Sequence, residues 1–125
     1  SDEAILYPYV TRPQILVTMS QDAYAKFSPE MAPGGMLLIE DELVRVKQAP
    51  ADATVFGIPA TRLAEEIGRK LVLNIVMVGF FAAMTKVVEP DALRKAVEVS
   101  VPGGTERLNL SAFDKGFEYG RKLLA

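Results

Sequence analysis

The sequence contains neither cysteine nor histidine. The first absence excludes disulfides, thiolate-bound zinc and any iron–sulfur cluster held by this chain. The second removes histidine-based catalytic triads and the usual transition-metal sites. Charge of one sign is also scarce. Fourteen Lys and Arg stand against sixteen Asp and Glu, a net of −2, with the signs interspersed. A nucleic-acid footprint would be a basic face, and none is present. The longest uncharged apolar run, Leu71 to Thr85, covers 15 residues. A membrane span needs roughly 20, so that run is expected to lie in a protein core or interface instead. No signal-peptide pattern is visible, and the expected compartment is the cytoplasm.

What is there is a chain of 125 residues, half of them hydrophobic. That suffices for a packed core and fits a single domain over 1–125. Ser1 to Arg12, with Tyr7-Pro8 and Arg12-Pro13, reads as extended and irregular. Gln14 to Met19 is a short apolar run of the kind that forms a buried parallel strand. Ser20 then caps a helix with Asp22 in its first turn, running to about Phe27. Pro33-Gly34-Gly35 is a turn. Met36 to Ile39 is a second strand, ended by Glu40-Asp41-Glu42, and Leu43 to Val46, alternating with charge, is a weaker pattern for a short strand beside the three main ones. After a polar loop, Thr54 to Gly57 reads as another strand.

Pro59 suits the first turn of a helix, and Ile58 before it is held extended. Ala60, Leu63, Ala64, Ile67 and Leu71 recur at helical spacing opposite Arg62, Glu65, Glu66 and Arg69. Glu65→Arg69 has the favourable i,i+4 order. The Leu71–Thr85 helix is apolar all round, so it must be buried. A domain of this size has difficulty wrapping it, which points to a partner. Pro90 and Asp91 open a further helix with Ala92, Leu93, Ala96 and Val97 on one face. Val99 to Arg107 reads as a loop. Asn109 or Ser111 caps the last helix, whose stripe is Leu110, Phe113, Phe117 and Leu124. Gly116 and Gly120 lie in that helix one turn apart, where another backbone must approach. Strands alternating with helices predict an α/β domain with a mostly parallel sheet. Three strands are few for a sheet covered on both faces, so the sheet reads as short of an edge on its N-terminal side.

No constellation of residues carries chemistry, and no catalytic or metal-ligating set emerges. Ser20, at a strand's carboxyl end, and Thr61, in a helix's first turn, are weak candidates for cofactor contact. Capping and local backbone bonding explain them equally well. Pro33-Gly34-Gly35 lacks the glycine spacing of a dinucleotide fingerprint. Glu40-Asp41-Glu42 reads as a solvated loop, because no second cluster completes a cation site. Asn74, expected to be buried, needs hydrogen-bond partners on neighbouring backbone or across a subunit interface. Ile58, Pro59, Thr61, Asn74, Gly79, Gly116 and Gly120 form the expected interface or structural set.

Several pieces together resemble the gamma subunit of 2-oxoacid:ferredoxin oxidoreductases, which is also a domain of fused pyruvate synthases. They are Ser1-Asp2-Glu3 with Tyr7-Pro8, Pro13 through Met19-Ser20-Gln21, and Pro33-Gly34-Gly35. Ile58-Pro59-Ala60-Thr61 with Leu63-Ala64, Asn74-Ile75-Val76-Met77-Val78-Gly79, and Asn109 with Ala112-Phe113 and Gly116 complete the match. The resemblance runs nearly end to end, and the proline–threonine turn with the asparagine-bearing helix is its most specific part. It implies a Rossmann-like three-layer fold. It also implies a subunit that carries no cofactor, in a complex oxidatively decarboxylating a 2-oxoacid to acyl-CoA, with 2-oxoglutarate favoured over pyruvate or a branched-chain acid. Thiamine diphosphate, Mg, iron–sulfur clusters and coenzyme A would serve the complex through other subunits. Those partners would be alpha and beta subunits, a ferredoxin-like delta subunit where one exists, and ferredoxin as acceptor. No nucleic acid or membrane is implied. The family's N-terminal glycine-rich strand–turn–helix has no counterpart here, which leaves a ligand site near that turn unassigned. The alternative is a free-standing α/β module binding a nucleotide or an acyl carrier.

Overall fold

A computed structural model describes residues 15–31, 34–46, 52–68, 72–85 and 87–125. Expectations placed on Ser1 to Gln14, Pro33, the loop at 47–51, Arg69 and Leu71 lie outside the described residues. The chain divides into two compact units, one of residues 1–39 and 43–57, the other of 40–42 and 58–125.

The first unit is built on strands. β1 (Ile15–Thr18) and β2 (Met36–Glu40) pair in parallel, with Ile15 opposite Met36 and Thr18 opposite Ile39. β3 (Thr54–Ile58) lies on the other side of β2, giving the order β1-β2-β3. Thr54 N donates to Gly35 O, and Asp41 N donates to Ile58 O. Both bonds advance in the same sense along the two strands, so β3 is parallel to β2 as well. The fold is α/β with a three-strand parallel sheet, as the alternation of elements predicts.

Ser20 caps helix α1 (Gln21–Phe27), its hydroxyl oxygen accepting the Ala23 N–H at 3.1 Å. Pro29 then starts a single 3-10 turn (Ser28–Glu30). Met31, Leu37, Ile39, Val44 and Ala53 form the core of this unit, with Leu16, Tyr24, Val46 and Val55 packed against it. The strand expected at Leu43 to Val46 is absent, although Val44 is buried. Residues 41–43 are a turn, and 44–46 are irregular. Gln21 holds both backbone groups of Arg45, accepting its N–H at 2.7 Å and donating to its carbonyl at 3.3 Å. Those are the groups a strand ladder would need.

The second unit is helical. α2 (Ala60–Ile67) buries Ala60 and Ala64 and exposes Arg62, Glu65 and Glu66. It stops at Gly68, whose φ of +104° favours glycine, with its N–H bonded to the carbonyls of Ala64 and Glu65. α3 (Leu73–Met84) is the centre of the unit. α2, α4 (Pro90–Ser100) and α5 (Glu106–Leu124) all pack on it. The chain covers α3 in large part, but Leu73, Ile75, Val78 and Phe81 stay half-buried, in keeping with the expected difficulty of wrapping it completely. Val76, Met77, Gly79, Phe80, Ala82 and Met84 are buried, and Asn74 is the one residue of α3 left exposed. Each large side chain so buried contributes on the order of 1.5–3 kcal/mol.

Two helix boundaries also differ from expectation. α4 continues through Val99 to Ser100, and of its expected apolar face only Leu93 and Val97 turn inward, with Ala92 and Ala96 exposed. α5 begins a full turn earlier than a cap at Asn109 or Ser111 would place it. Glu106 accepts the Gly104 N–H at 2.8 Å, and the Thr105 hydroxyl donates to Pro102 O at 2.6 Å. These bonds close the turn ahead of the helix. Asn109 consequently sits inside α5, buried, donating its amide to Thr105 O at 3.0 Å. Leu124, assigned to the apolar stripe, is exposed at the helix end.

Glycines set the separation of α3 and α5. A Cβ on Gly79 would overlap the Phe113 carbonyl oxygen and come within 2.8 Å of its carbon. A Cβ on Gly116 would overlap the Val76 carbonyl oxygen and lie 2.8 Å from Phe80 N. Gly120 faces side chains instead, with Ala83 Cβ at 2.7 Å and Met84 and Phe80 atoms at 3.2 Å. The two helices thus touch backbone to backbone. Around the seam, Phe80 meets Tyr119 edge-on at 6.2 Å between ring centroids, and Phe113 stacks with Phe117 at 6.3 Å. The Arg94–Asp114 fork fastens α4 to α5, and Lys115–Glu66 fastens α5 to α2. Both pairs are solvent-exposed and add at most about 1 kcal/mol each.

The seam generates a prediction. Alanine at an open helical position gains about 1 kcal/mol over glycine. Gly79→Ala and Gly116→Ala should instead lower the urea midpoint, by the roughly 1–3 kcal/mol or more of an overpacked core. Gly120→Ala should lower it too, because Ala83 Cβ at 2.7 Å is fixed to the α3 backbone, although the Met84 and Phe80 side chains can shift. A raised midpoint for Gly79→Ala or Gly116→Ala would contradict this packing.

Candidate functional site

The chemistry-bearing residues of the second unit converge where β2 ends and α2 begins. Pro59, the residue capping α2, has no polar side chain to satisfy the helix's free N–H groups. The missing acceptor comes from elsewhere in the chain. Glu40, the last residue of β2, is completely buried. Its Oε2 accepts the Thr61 N–H at 2.6 Å, and its Oε1 accepts the Glu42 N–H at 2.5 Å. A carboxylate at a helix N-terminus is favoured by the dipole as well as by these bonds. The Asp41 N–H to Ile58 O bond at 3.0 Å closes the corner, and Glu42 pairs with Arg62 in the first turn of α2.

Glu40 was expected in a solvated acidic loop, and its burial corrects that reading. Composition alone masks it, since three consecutive acids after a strand resemble a surface turn. The available signal was Pro59, which leaves α2 in need of an acceptor from outside the helix.

Three carboxylates in a row have an electrostatic consequence. Burial pushes the Asp41 carboxyl above its ordinary 3.8, and the charges of Glu40 and Glu42 push it further in the same direction. Arg62 opposes the shift. Among the described residues no group of three acids, histidines or cysteines is placed to hold a metal ion.

The remaining candidates are dispersed. Ile58, Pro59 and Thr61 belong to the corner, but Thr61 acts through its N–H, while its hydroxyl is buried without a hydrogen-bond partner. Ser20 is committed to capping α1. Gly79, Gly116 and Gly120 lie in the α3–α5 seam, buried within the chain. Asn74 does not lie in the core, which corrects its expected burial. On the helical turn of α3 it shares a side with Val78 and Phe81, the half-buried side, away from Val76 and Phe80. An open groove of about 640 Å³ runs between α2 and α5, with half-buried Leu63, Ile67 and Tyr119 flanked by exposed Lys115, Glu118 and Lys122. It contains no nucleophile paired with a base. No helix among the described residues is long and apolar enough to cross a membrane.

A family model described as pyruvate ferredoxin/flavodoxin oxidoreductase matches residues 1–119. The chain belongs to that family. It is 44% identical to the 2-oxoglutarate synthase subunit KorC of Methanocaldococcus jannaschii, over 98% of this chain and 67% of that one. It is 39% identical to KorC of Methanothermobacter marburgensis, over 94% of this chain and 67% of the relative. Among solved structures, the gamma subunit of a keto/oxoacid ferredoxin oxidoreductase from Geobacter sulfurreducens superposes with a TM-score of 0.77 at 35% identity. That match covers 90% of this chain and 65% of that one. The fold also recurs in a 2-oxoglutarate:ferredoxin oxidoreductase from Magnetococcus marinus, at a TM-score of 0.76 and 20% identity over 20% of its chain. The chain spans about two thirds of the length of its KorC relatives and of the Geobacter gamma subunit. The resemblance read from Ile58 to Thr61, Asn74 to Gly79 and Asn109 to Gly116 is thus a family membership.

Two predictions concern this region. Glu40→Ala should lower the melting temperature, because the partly buried N–H groups of Thr61 and Glu42 lose their acceptor, at up to about 1–3 kcal/mol per unsatisfied group. Glu40→Gln, which keeps one acceptor oxygen, should lose less. Asp41→Asn should act in the opposite direction. A carboxyl titrating above 3.8 in the folded state weakens folding as pH rises through that folded value, and the penalty disappears below 3.8. Asp41→Asn should therefore melt higher than the parent at pH 7, with the gap closing in acid. Equal melting temperatures at pH 7 would count against an unfavourable Asp41 charge. Separately, exposed Asn74 predicts that Asn74→Leu changes stability by no more than about 0.5 kcal/mol, the usual range for a surface position. A large loss in thermal melts would mean that the amide is structurally engaged.

Proposed function

We propose that this chain is the gamma-type, non-cofactor-carrying part of a 2-oxoglutarate:ferredoxin oxidoreductase, which oxidatively decarboxylates 2-oxoglutarate to its acyl-CoA. The observation that carries this reading is the 44% identity to a 2-oxoglutarate synthase subunit over 98% of the chain. A second relative of the same description, at 39%, supports it. The Magnetococcus structure that shares the fold holds 2-oxoglutarate, coenzyme A and succinyl-CoA. That fits the same reaction class without assigning any ligand contact here. The chain offers no cysteine for an iron–sulfur cluster. The clusters, together with thiamine diphosphate and its Mg ion, accordingly belong to the alpha and beta subunits and to a ferredoxin-like delta subunit where one exists. Ferredoxin accepts the electrons, and the complex works in the cytoplasm. Within the chain, the Glu40 corner and the glycine seam fix the shape of the unit of 40–42 and 58–125.

Co-expression tests this role. A tagged chain should recover the thiamine-binding subunits in a fixed stoichiometry. The purified complex should reduce a viologen dye with thiamine diphosphate, Mg²⁺ and coenzyme A, at higher kcat/KM for 2-oxoglutarate than for pyruvate. The isolated chain should show no turnover under the same conditions. Catalysis by the chain alone would overturn the proposal. A stable monomer without affinity for those subunits would do the same in favour of a free-standing module.

A further inference from the structure

We draw no further inference here: the strongest candidate, the outward stripe of Ala92, Ala96 and Val99 along α4, with Val88 just ahead of the helix, is an exposed and largely apolar face, and nothing in the structure shows what covers it.

Discussion

The contact on which the helical unit depends is the meeting of two backbones, α3 at Gly79 and α5 at Gly116. Each glycine lies against a carbonyl of the other helix, Phe113 for Gly79 and Val76 for Gly116. The relation is reciprocal, so neither position tolerates a side chain unless the whole interface moves. Close approach brings the flanking side chains into dense contact, and dispersion gains are largest where atoms sit at contact distance. Two glycines in helix interiors have an intrinsic cost of about 1 kcal/mol each. The packing of Phe80, Phe113, Val76 and Ala112, all buried, outweighs it. An apolar helix that could not stand alone in water becomes the shared core of α2, α4 and α5.

The corner at Glu40 solves a different problem. Proline opens α2 geometrically but supplies no capping acceptor, and the partly buried N–H of Thr61 needs a partner. A carboxylate from the end of the neighbouring strand satisfies it. Burying that carboxylate is tolerable because two backbone N–H groups and the helix dipole stabilise it. The repulsion does not vanish. It adds to the effect of burial at Asp41, whose carboxyl is raised above the ordinary aspartate value first by desolvation and then by the charges of Glu40 and Glu42. One local arrangement therefore contains both a stabilising acid and a destabilising one, adjacent in sequence and opposite in sign of effect.

Much of this was legible in the chain itself, where local rules decide. Ser20 and Asp22 mark the start of α1, Pro90 marks α4, and the short apolar runs at residues 15–18 and 36–39 mark parallel strands. The glycine pair in α5 signals a close backbone without revealing whose. What stayed hidden depends on partners distant in sequence. Arg45 loses its strand because Gln21, 24 residues earlier, occupies its backbone. Glu40 is buried because Thr61, 21 residues later, needs an acceptor. Asn74 illustrates a converse error. An uncharged run implies burial of the helix as a whole, but not of every side chain on it, and the amide takes the open side. The α5 start lies earlier than Asn109 suggests because Thr105 and Glu106 bond the preceding turn instead of capping the helix's own N–H groups, a less obvious signal.

These observations bear on what kind of part the chain is. Its acidic side chains are engaged within the chain, most of them at the surface. Glu40 serves backbone N–H groups, Glu42 serves Arg62, Asp114 serves Arg94, and Glu66 serves Lys115. None is positioned beside a nucleophile or a second acid across a cleft, as general acid–base work requires. Shape is what its two principal interactions provide. The glycine seam fixes the distance between α3 and α5, and the Glu40 carboxylate fixes the entry of α2. Binding to such an ordered surface loses less conformational entropy than binding to a loose one.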